Sequence, residues 1–336
     1  MVYLKTTETC QLNCQHCFTN GINGKKIYFD PKATIDWFQR LHEECKTFNS
    51  GMIIFHGGEP FLAPMEDMLQ VYETVSKLWE NIKWSCSTNL TYTLTDKHLE
   101  FFDKVFKTGF CTSWDKGIRF SNEKQEALWR ANLKTLVDRG HNITLNVSLN
   151  RQLLEMDKVE LVTWLNTLGV NYVQFERLTH DGSALVNTDI FPSNKELDAW
   201  FMGMHEVYQT IKPLYRDVLM DGLTMSVEKG VCGGVRCRDC EQKIFTINAD
   251  GGISGCPNAA VDNSFSHISA PIKNTLTSTG RINTILCEVQ RDERCYSCDV
   301  FDICNSDCHQ LQWQGDVCAA PKTLMRKLKE EYANSW

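Results

Sequence analysis

Short apolar runs alternate with longer stretches of helical period through the first half of the chain. Residues 2–8 read as a short buried strand. Asp30-Pro31 has the form of a helix start, with Asp as N-cap and Pro in the first turn. Phe38, Leu41, Cys45 and Phe48 then recur at helical spacing. Gly51 precedes an apolar run that enters His56-Gly57-Gly58-Glu59-Pro60, the second predicted strand. Residues 65–79 carry a helical period, and 82–87 form a third strand ending at Thr88-Asn89. Phe101, Phe102, Val105 and Phe106 mark the next helix, and 109–114 a fourth strand. Ala127, Leu128, Ala131, Leu136 and Val137 predict a helix that stops at Gly140. A fifth strand spans 143–149. A helix through Val159, Val162, Leu165 and Leu168 closes at Gly169, and a sixth strand spans 172–178.

Strands alternating with helices demand a parallel sheet with helices outside. A full eight-fold barrel needs two more units than this pattern supplies, since it breaks near Asp181-Gly182-Ser183. The expected fold is α/β, a partial (β/α)6 TIM-like barrel over 1–190. A helical connection over 191–230 follows. From 231 to 336 the composition shifts to Cys, Gly and Asp with little periodicity, which predicts a small cysteine-rich domain held by metal.

Composition narrows the function classes. The net charge is −7, with no basic run, which argues against a nucleic-acid surface or a polybasic membrane contact. The N-terminus lacks the apolar region of a signal peptide, and no apolar run reaches transmembrane length. Most of the 16 cysteines are clustered in metal-ligand spacings, which fits reduced thiols in a cytoplasmic compartment better than a disulfide scaffold.

Thr9 to Asn20 reads TCQLNCQHCFTN, with Cys10, Cys14 and Cys17 at C-x3-C-x2-C spacing on a loop after the first strand. Three thiolates so placed can hold three irons of a cubane and leave the fourth open. A zinc knot is the alternative, with His16 between two of the ligands. Gly57-Gly58-Glu59-Pro60 ends the second strand, where chemistry sits in parallel folds and where glycines admit close approach. Polar Asn146, Ser148 and Asn150 share one face of strand five, and Gln174 and Glu176 one face of strand six. The first set suits ribose contacts. The second suits substrate contact, or else an internal hydrogen-bond network.

These strand ends resemble the radical SAM superfamily, and the resemblance runs through most of the chain. It implies a [4Fe-4S] cluster on Cys10, Cys14 and Cys17 whose open iron takes the amino and carboxylate groups of S-adenosyl-L-methionine (SAM). Gly57, Gly58, Glu59 and Pro60 match the motif for the methionine amino group. Thr88-Asn89 matches the family's Thr-Asn-Gly, with Leu90 in place of Gly. Ser113-Trp114-Asp115 matches Ser-Leu-Asp, in which the Ser lies against the cofactor. Arg119 is the candidate for the methionine carboxylate; a surface ion pair is its other reading.

The later cysteines resemble the SPASM domain that follows such barrels. Carried over by position, one auxiliary [4Fe-4S] cluster takes Cys295, Cys298, Cys304 and Cys318. The other takes Cys240, Cys256 and Cys308 with a cysteine upstream. Cys232 in its Cys-Gly-Gly is preferred for that place, and Cys237 competes. A pair of zinc ribbons is the non-enzymatic alternative.

The family chemistry implied is oxidoreductive: an external donor such as flavodoxin or ferredoxin reduces the first cluster, SAM yields a 5′-deoxyadenosyl radical, and the radical removes a substrate hydrogen. The expected substrate is a peptide undergoing oxidative modification. Small-molecule dehydrogenation or epimerisation is the alternative, and a non-catalytic Fe–S carrier or sensor the alternative of another class. The sulfatase-maturing branch has Asp after the cysteine matching Cys256, whereas this chain has Pro257. The chain begins on strand one, so no N-terminal leader-recognition domain is expected. Cys45, Cys86, Cys111, Cys237 and Cys287 remain outside the clusters. Cys111 shares a strand face with Ser113, so it is either barrel packing or a thiol able to return a hydrogen atom to a substrate radical.

Overall fold

A computed structural model describes residues 1–232, 238–259 and 263–334. The six predicted strands form as β1 (Val2–Thr7), β2 (Ser50–Gly57), β3 (Asn81–Cys86), β4 (Phe110–Ser113), β5 (Ile143–Leu149) and β6 (Tyr172–Arg177). They run parallel, β1 to β3 in one sheet and β4 to β6 in another. A parallel bridge between Ser87 and Cys111, with Thr88 N–H donating to the Cys111 carbonyl at 3.0 Å, joins the two. The result is one curved wall.

Between the strands stand α1 (Pro31–Glu44), α2 (Met65–Val75), α3 (Asp96–Val105), α4 (Glu123–Asp138), the single turn α5 (Arg151–Leu154) and α6 (Lys158–Asn166). Asp30 caps α1 as expected, accepting from Ala33 N at 3.0 Å with Pro31 in the first turn. The alternation within strands divides the wall into two faces. Ile143, Leu145, Val147 and Leu149 are buried toward the helices, while Thr144, Asn146 and Ser148 are half-buried on the other side. On β6, Phe175 packs edge-on against Trp200, and Gln174 and Glu176 face inward. Trp37, Phe38, Phe55, Phe102 and Trp129 fill the layer between sheet and helices. Truncating any one to Ala costs about 3–5 kcal/mol.

Two short strands extend the wall beyond the six. β7 (Arg216–Asp217) pairs in parallel with β6, between α7 (Asn194–Thr210) and α8 (Val218–Lys229). β8 (Phe245–Ile247), from the cysteine-rich segment, pairs in parallel with β1, Tyr3 opposite Thr246. β9 (Gly252–Ser254) and β10 (Ser266–His267) continue that sheet antiparallel. The cysteine-rich segment is therefore continuous with the barrel sheet rather than set apart from it. Strands of two or three residues have no readable period, which is why the sequence pattern ends at six.

A buried ion pair closes the other flank. Arg177, at the end of β6, grips the Asp307 carboxylate through both Nη groups at 2.5 and 2.8 Å and also donates to the Ala319 carbonyl. Asn305, Ser306 and Asp307 are consecutive left-handed residues that bring the carboxylate inward. A C-terminal helix, Lys322–Ala333, packs on α7 and α8. No helix among the described residues is long and apolar enough to cross a membrane.

Candidate active site

The Cys10 loop sits at the carboxyl end of β1, held from both sides. Gln15 N–H donates to the Ile118 carbonyl at 2.9 Å, and Ser183 N–H to the Cys17 carbonyl at 2.8 Å. The end of β2 lies directly beneath it. Gly57 has φ +129°, and a Cβ there would fall 2.1 Å from the Thr7 carbonyl oxygen; at Gly58 it would fall 2.0 Å from that of Thr9. Only glycines permit this approach.

Cys10 and Cys14 are buried and Cys17 half-buried. Three N–H groups point at their sulfurs: Leu12 N and Asn89 Nδ2 at 3.4 Å from Cys10 Sγ, and Gly21 N at 3.1 Å from Cys17 Sγ. Such donors favour thiolates. Burial works against bare thiolates, pushing Cys10 up to about 11 and Cys14 up to about 12. Donors arranged for thiolate sulfur, in a place too dry for an unliganded one, fit a bound iron–sulfur group.

The neighbouring motifs form a braced floor. Glu59 is fully buried and accepts from Asn89 N at 2.7 Å, Thr88 Oγ1 at 2.8 Å and Phe61 N at 3.1 Å. Burial outweighs these donors and raises its carboxyl to about 7. Pro60 begins the 3-10 turn Pro60–Leu62 that Glu59 caps. Asn89 Oδ1 receives Gln11 Nε2 at 3.0 Å, tying the third strand end to the cysteine loop. Leu90, where the family motif has Gly, lies at φ 51°. The left-handed conformation is kept without the residue that adopts it freely.

Asp115 was unassigned by the sequence reading and proves central. Its buried carboxylate takes Arg119 Nε at 2.5 Å and Ser148 N–H at 2.7 Å, with His16 Nε2 at 3.3 Å. Arg119 and His16 hold it well below the ordinary carboxylate range despite its burial. Arg119 thus lies inside the site, within the field of Cys14 and Cys10, with its Nη groups unbonded among the described residues. Ser113, Asn146 and Ser148 line the same interior. Asn150 does not: it caps α5, accepting from Leu153 N at 3.1 Å. Gln174 Nε2 donates to Glu176 Oε1. Cys111 is half-buried on the interior face with Thr144 as partner, its thiol pushed up to about 11 by burial. Cys86 faces the opposite way, into the apolar layer.

Lys5 and Tyr3 on β1 were also missed. The Lys5 Nζ is fully buried without a hydrogen bond, 3.7 Å from Glu8. The Tyr3 ring meets His56 edge-on, and burial holds its phenol well above the ordinary range. The signal was a tyrosine and a lysine on alternate positions of β1, between the apolar Val2 and Leu4 and the threonines that end it.

The later cysteines gather in two groups. Cys308 lies within electrostatic reach of Cys240 and Cys256, whose thiols burial pushes up to about 12. Cys318 lies within the same reach of Cys304, and Cys298 of Cys318. Cys295 is buried at the start of the same segment as Cys298. Cys308 thus turns back to the earlier cysteines. Cys232 lines a small cavity with Cys304 and Asp307, on the side of the second group, and Cys237 lies outside the described residues. Among the described residues, no three His, Cys, Asp or Glu side chains close on a single metal-ion position. The first group carries buried acids: Cys240 N donates to Glu288 at 2.7 Å, and Cys256 N to Glu241 at 3.2 Å.

No family model and no curated protein sequence matches the chain. Solved structures do. Native anSMEcpe with bound AdoMet superposes with a TM-score of 0.77 at 16% identity, over 100% of this chain and 98% of that one. The same enzyme with AdoMet and the Cp18Cys peptide gives 0.77 at 16%, over 99% and 97%. Streptococcus suis SuiB bound to the precursor peptide SuiA gives 0.64 at 14%, over 92% and 71%. Both are radical SAM enzymes, and the chain has their fold: a partial barrel continued into a cysteine-rich segment.

Proposed function

We propose that the chain is a radical SAM enzyme with two auxiliary [4Fe-4S] clusters that modifies a peptide oxidatively. One observation carries this reading: the sulfurs of Cys10 and Cys17 receive N–H donors on a loop against which two glycines bring the end of β2. The structures of like fold bind AdoMet and peptides, which supports the same ligands here.

Cys10, Cys14 and Cys17 would hold the first cluster. When bound, that cluster and SAM supply one-electron cleavage and, from it, removal of a substrate hydrogen atom. The chain's residues bind and orient. Asp115 fixes Arg119 so that its Nη groups offer a fork to the methionine carboxylate. Gly57, Gly58 and the Glu59-Pro60 turn receive the amino group, with Asn89 holding Cys10 in place. Ser113, Asn146 and Ser148 are the polar surface for the ribose. Glu176, with Gln174, faces the substrate. Leu12 and Phe120 pack against the loop's cysteines and, with the buried Ile118, exclude water. Cys295, Cys298, Cys304 and Cys318 would hold one auxiliary cluster. Cys240, Cys256 and Cys308 would hold the other, completed by Cys232 or Cys237. Pro257 removes the acid that the sulfatase-maturing branch has at this place, so a different peptide outcome is expected.

Anaerobic reconstitution tests the reading. About twelve irons should bind, three cubanes of four, and a strong reductant should release 5′-deoxyadenosine from SAM. Zinc instead of iron, or no cleavage, refutes it. The interior position of Cys111 favours a second reading, epimerisation. In deuterated water an epimerase gives a product of unchanged mass apart from one deuterium, lost in Cys111→Ala. An oxidative enzyme gives a product lacking two hydrogens in both proteins.

A further inference from the structure

The outer edge of the loop from Cys10 to Cys17 is open to solvent. Asn13 and Gln15 are exposed there, and Cys17 is half-buried where Cys10 and Cys14 are buried. Two segments frame this edge. On one side, the 3-10 turn Gly21–Asn23 is held by Ile22 N–H, which donates to the Leu12 carbonyl at 3.0 Å. On the other, Ser183 N–H donates to the Cys17 carbonyl at 2.8 Å and Asn187 Nδ2 to the Gln15 carbonyl at 2.9 Å. Both segments turn apolar side chains outward. Ile22 is 52% exposed, and Leu185 and Val186, between the anchors Ser183 and Asn187, are 61% and 83% exposed. Apolar side chains held on both sides of one edge form a patch, which single exposed residues do not.

The charge at this edge is opposite to that of the chain. The net charge is −7, with 42 acidic residues in 336, yet no Asp or Glu stands between Thr9 and Phe29. Lys25 and Lys26 follow the Gly21–Asn23 turn. Lys116 lies two residues before Ile118, whose carbonyl takes Gln15 N–H at 2.9 Å. All three lysines are exposed, and none has a hydrogen bond or ion pair among the described residues. Of the acids near Leu185 and Val186, Asp181 is half-buried, and Asp189 lies beyond Asn187, its carbonyl taking Arg151 Nε at 3.2 Å. The edge also leads straight to sulfur. Gly21 N–H meets Cys17 Sγ at 3.1 Å, and the next residue is the exposed Ile22.

We propose that this face docks the protein that supplies the electron, a small acidic one-electron carrier of the flavodoxin or ferredoxin kind. Ile22, Leu185 and Val186 form the apolar centre, and Lys25, Lys26 and Lys116 form a rim that steers an acidic partner. A second copy of this chain is the poorer fit, because a two-fold contact sets a face against its own likeness and these lysines against one another. The carrier loses one electron, and the [4Fe-4S] group on Cys10, Cys14 and Cys17 gains it by way of the Gly21 N–H contact. No bond forms or breaks and no proton moves. The inference rests on the radical SAM reading above and deepens it by naming where its electron enters.

The test uses the reconstituted enzyme with a purified flavodoxin and a purified ferredoxin. Binding of each oxidised carrier is titrated calorimetrically at low salt, without SAM. At least one should bind, the tighter of the two identifying the kind of carrier, and binding should fade at high salt. Lys25→Glu with Lys26→Glu and Lys116→Glu should weaken it at least ten-fold, and Val186→Asp several-fold, both at unchanged Tm. Carrier-driven SAM cleavage should fall with binding. Cleavage driven by dithionite, which needs no docking face, should keep the wild-type rate in every variant. Undiminished binding in the triple variant, or no binding of either carrier, overturns the proposal. So does self-association of the wild type that Val186→Asp abolishes, which gives the face to a second copy. Intact dithionite-driven cleavage with carriers indifferent to the variants removes only this inference, whereas absent dithionite-driven cleavage in the wild type removes the radical SAM reading whatever the carriers do.

Discussion

The barrel and the cysteine-rich segment solve the same problem with different materials. Residues up to about 230 bury a continuous apolar layer between sheet and helices, with Trp37, Phe102, Trp129 and Phe175 at its centre. Cys10, Cys14 and Cys17, proposed above to hold the first cluster, ride on one loop above that layer and contribute little to it. The segment from 238 onward has short elements, few large apolar side chains and several buried charges, among them Glu241, Glu288 and Asp307. Cys240, Cys295 and Cys304 lie in its short helices, and Cys256, Cys298, Cys308 and Cys318 in the turns between elements. A fold with a thin apolar core needs cross-links, and the proposed metal coordination would supply them. The barrel should therefore tolerate loss of its cluster, and the later segment should not.

Metal removal puts the largest strain on that contrast. Stripping iron anaerobically should leave the amides of β2 to β6 protected from hydrogen exchange while those of 238–334 exchange freely. Cys304→Ala should reproduce the second effect, and Cys10→Ala should abolish SAM cleavage with protection intact throughout. Structural metal binding in small sites is worth about 10 kcal/mol, so the difference should span orders of magnitude in exchange rate. Equal loss in both regions would break the comparison.

Arg177 tests the joint between the regions. Arg177→Ala takes the guanidinium from the buried Asp307 carboxylate, which keeps the Cys308 N–H at 2.7 Å, at a cost of about 3–5 kcal/mol. Arg177→Met with Asp307→Leu should recover much of this in thermal unfolding, since apolar replacements remove both buried charges. Failure of the pair to recover would mean that Arg177 acts through the Ala319 carbonyl instead.

Asp217 probes the barrel's own edge, on β7. Burial raises its carboxyl to about 6 although Leu219 N, Met220 N and Tyr208 Oη all donate to it. Its folded value lies above the unfolded one near 3.8, so the folded state binds the extra proton between them. The stability it contributes is complete below about pH 4 and is lost as pH rises through 6. Asp217→Asn should remove this slope, and urea midpoints of the two proteins should diverge between pH 4 and 7 by on the order of 2 kcal/mol. Parallel profiles would show that the group titrates normally.

What could be read in advance follows the same division. Periodicity revealed the six strands and their helices because each strand buries one face against helices, as Val147 and Ser148 illustrate on β5. β7 and β8 escaped because two or three residues cannot display a period. The candidate cysteines stand out in the sequence by their spacing, since ligand spacing is local. Their brackets do not: Asp115 gathers His16, Arg119 and Ser148 from three segments, and Arg177 finds Asp307 only once both are folded. Long-range polar contacts leave no mark in a linear pattern. Asn150 shows the converse, a residue whose alternation suggested the site but whose position at the end of β5 made it a helix cap.

The smallest effect lies at Leu90, where barrel packing and site geometry compete within one residue. The residue is fully buried in the apolar layer, yet its φ of 51° belongs to the region that glycine enters freely. Its carbonyl receives Asn132 Nδ2 at 3.0 Å, and its N–H lies next to Thr88 Oγ1 at 3.4 Å, so the conformation is fixed from both sides. At an ordinary buried position, replacement by Gly costs about 1 kcal/mol more than replacement by Ala, because the freer chain loses more on folding. At a left-handed position the order reverses, since alanine carries a conformational penalty of about 1 kcal/mol that glycine avoids. Leu90→Ala and Leu90→Gly should both be destabilised by the lost side chain, with the Gly variant the more stable by about 1 kcal/mol. Urea unfolding of the two variants measures the difference directly. SAM affinity adds a second reading: the Gly variant should match wild type if Leu90 serves packing alone, because the Asn89 contacts to Glu59 and Cys10 remain. If alanine proves the more stable, the left-handed turn is not held in solution, and Asn89 loses the backbone geometry that aims it at Cys10.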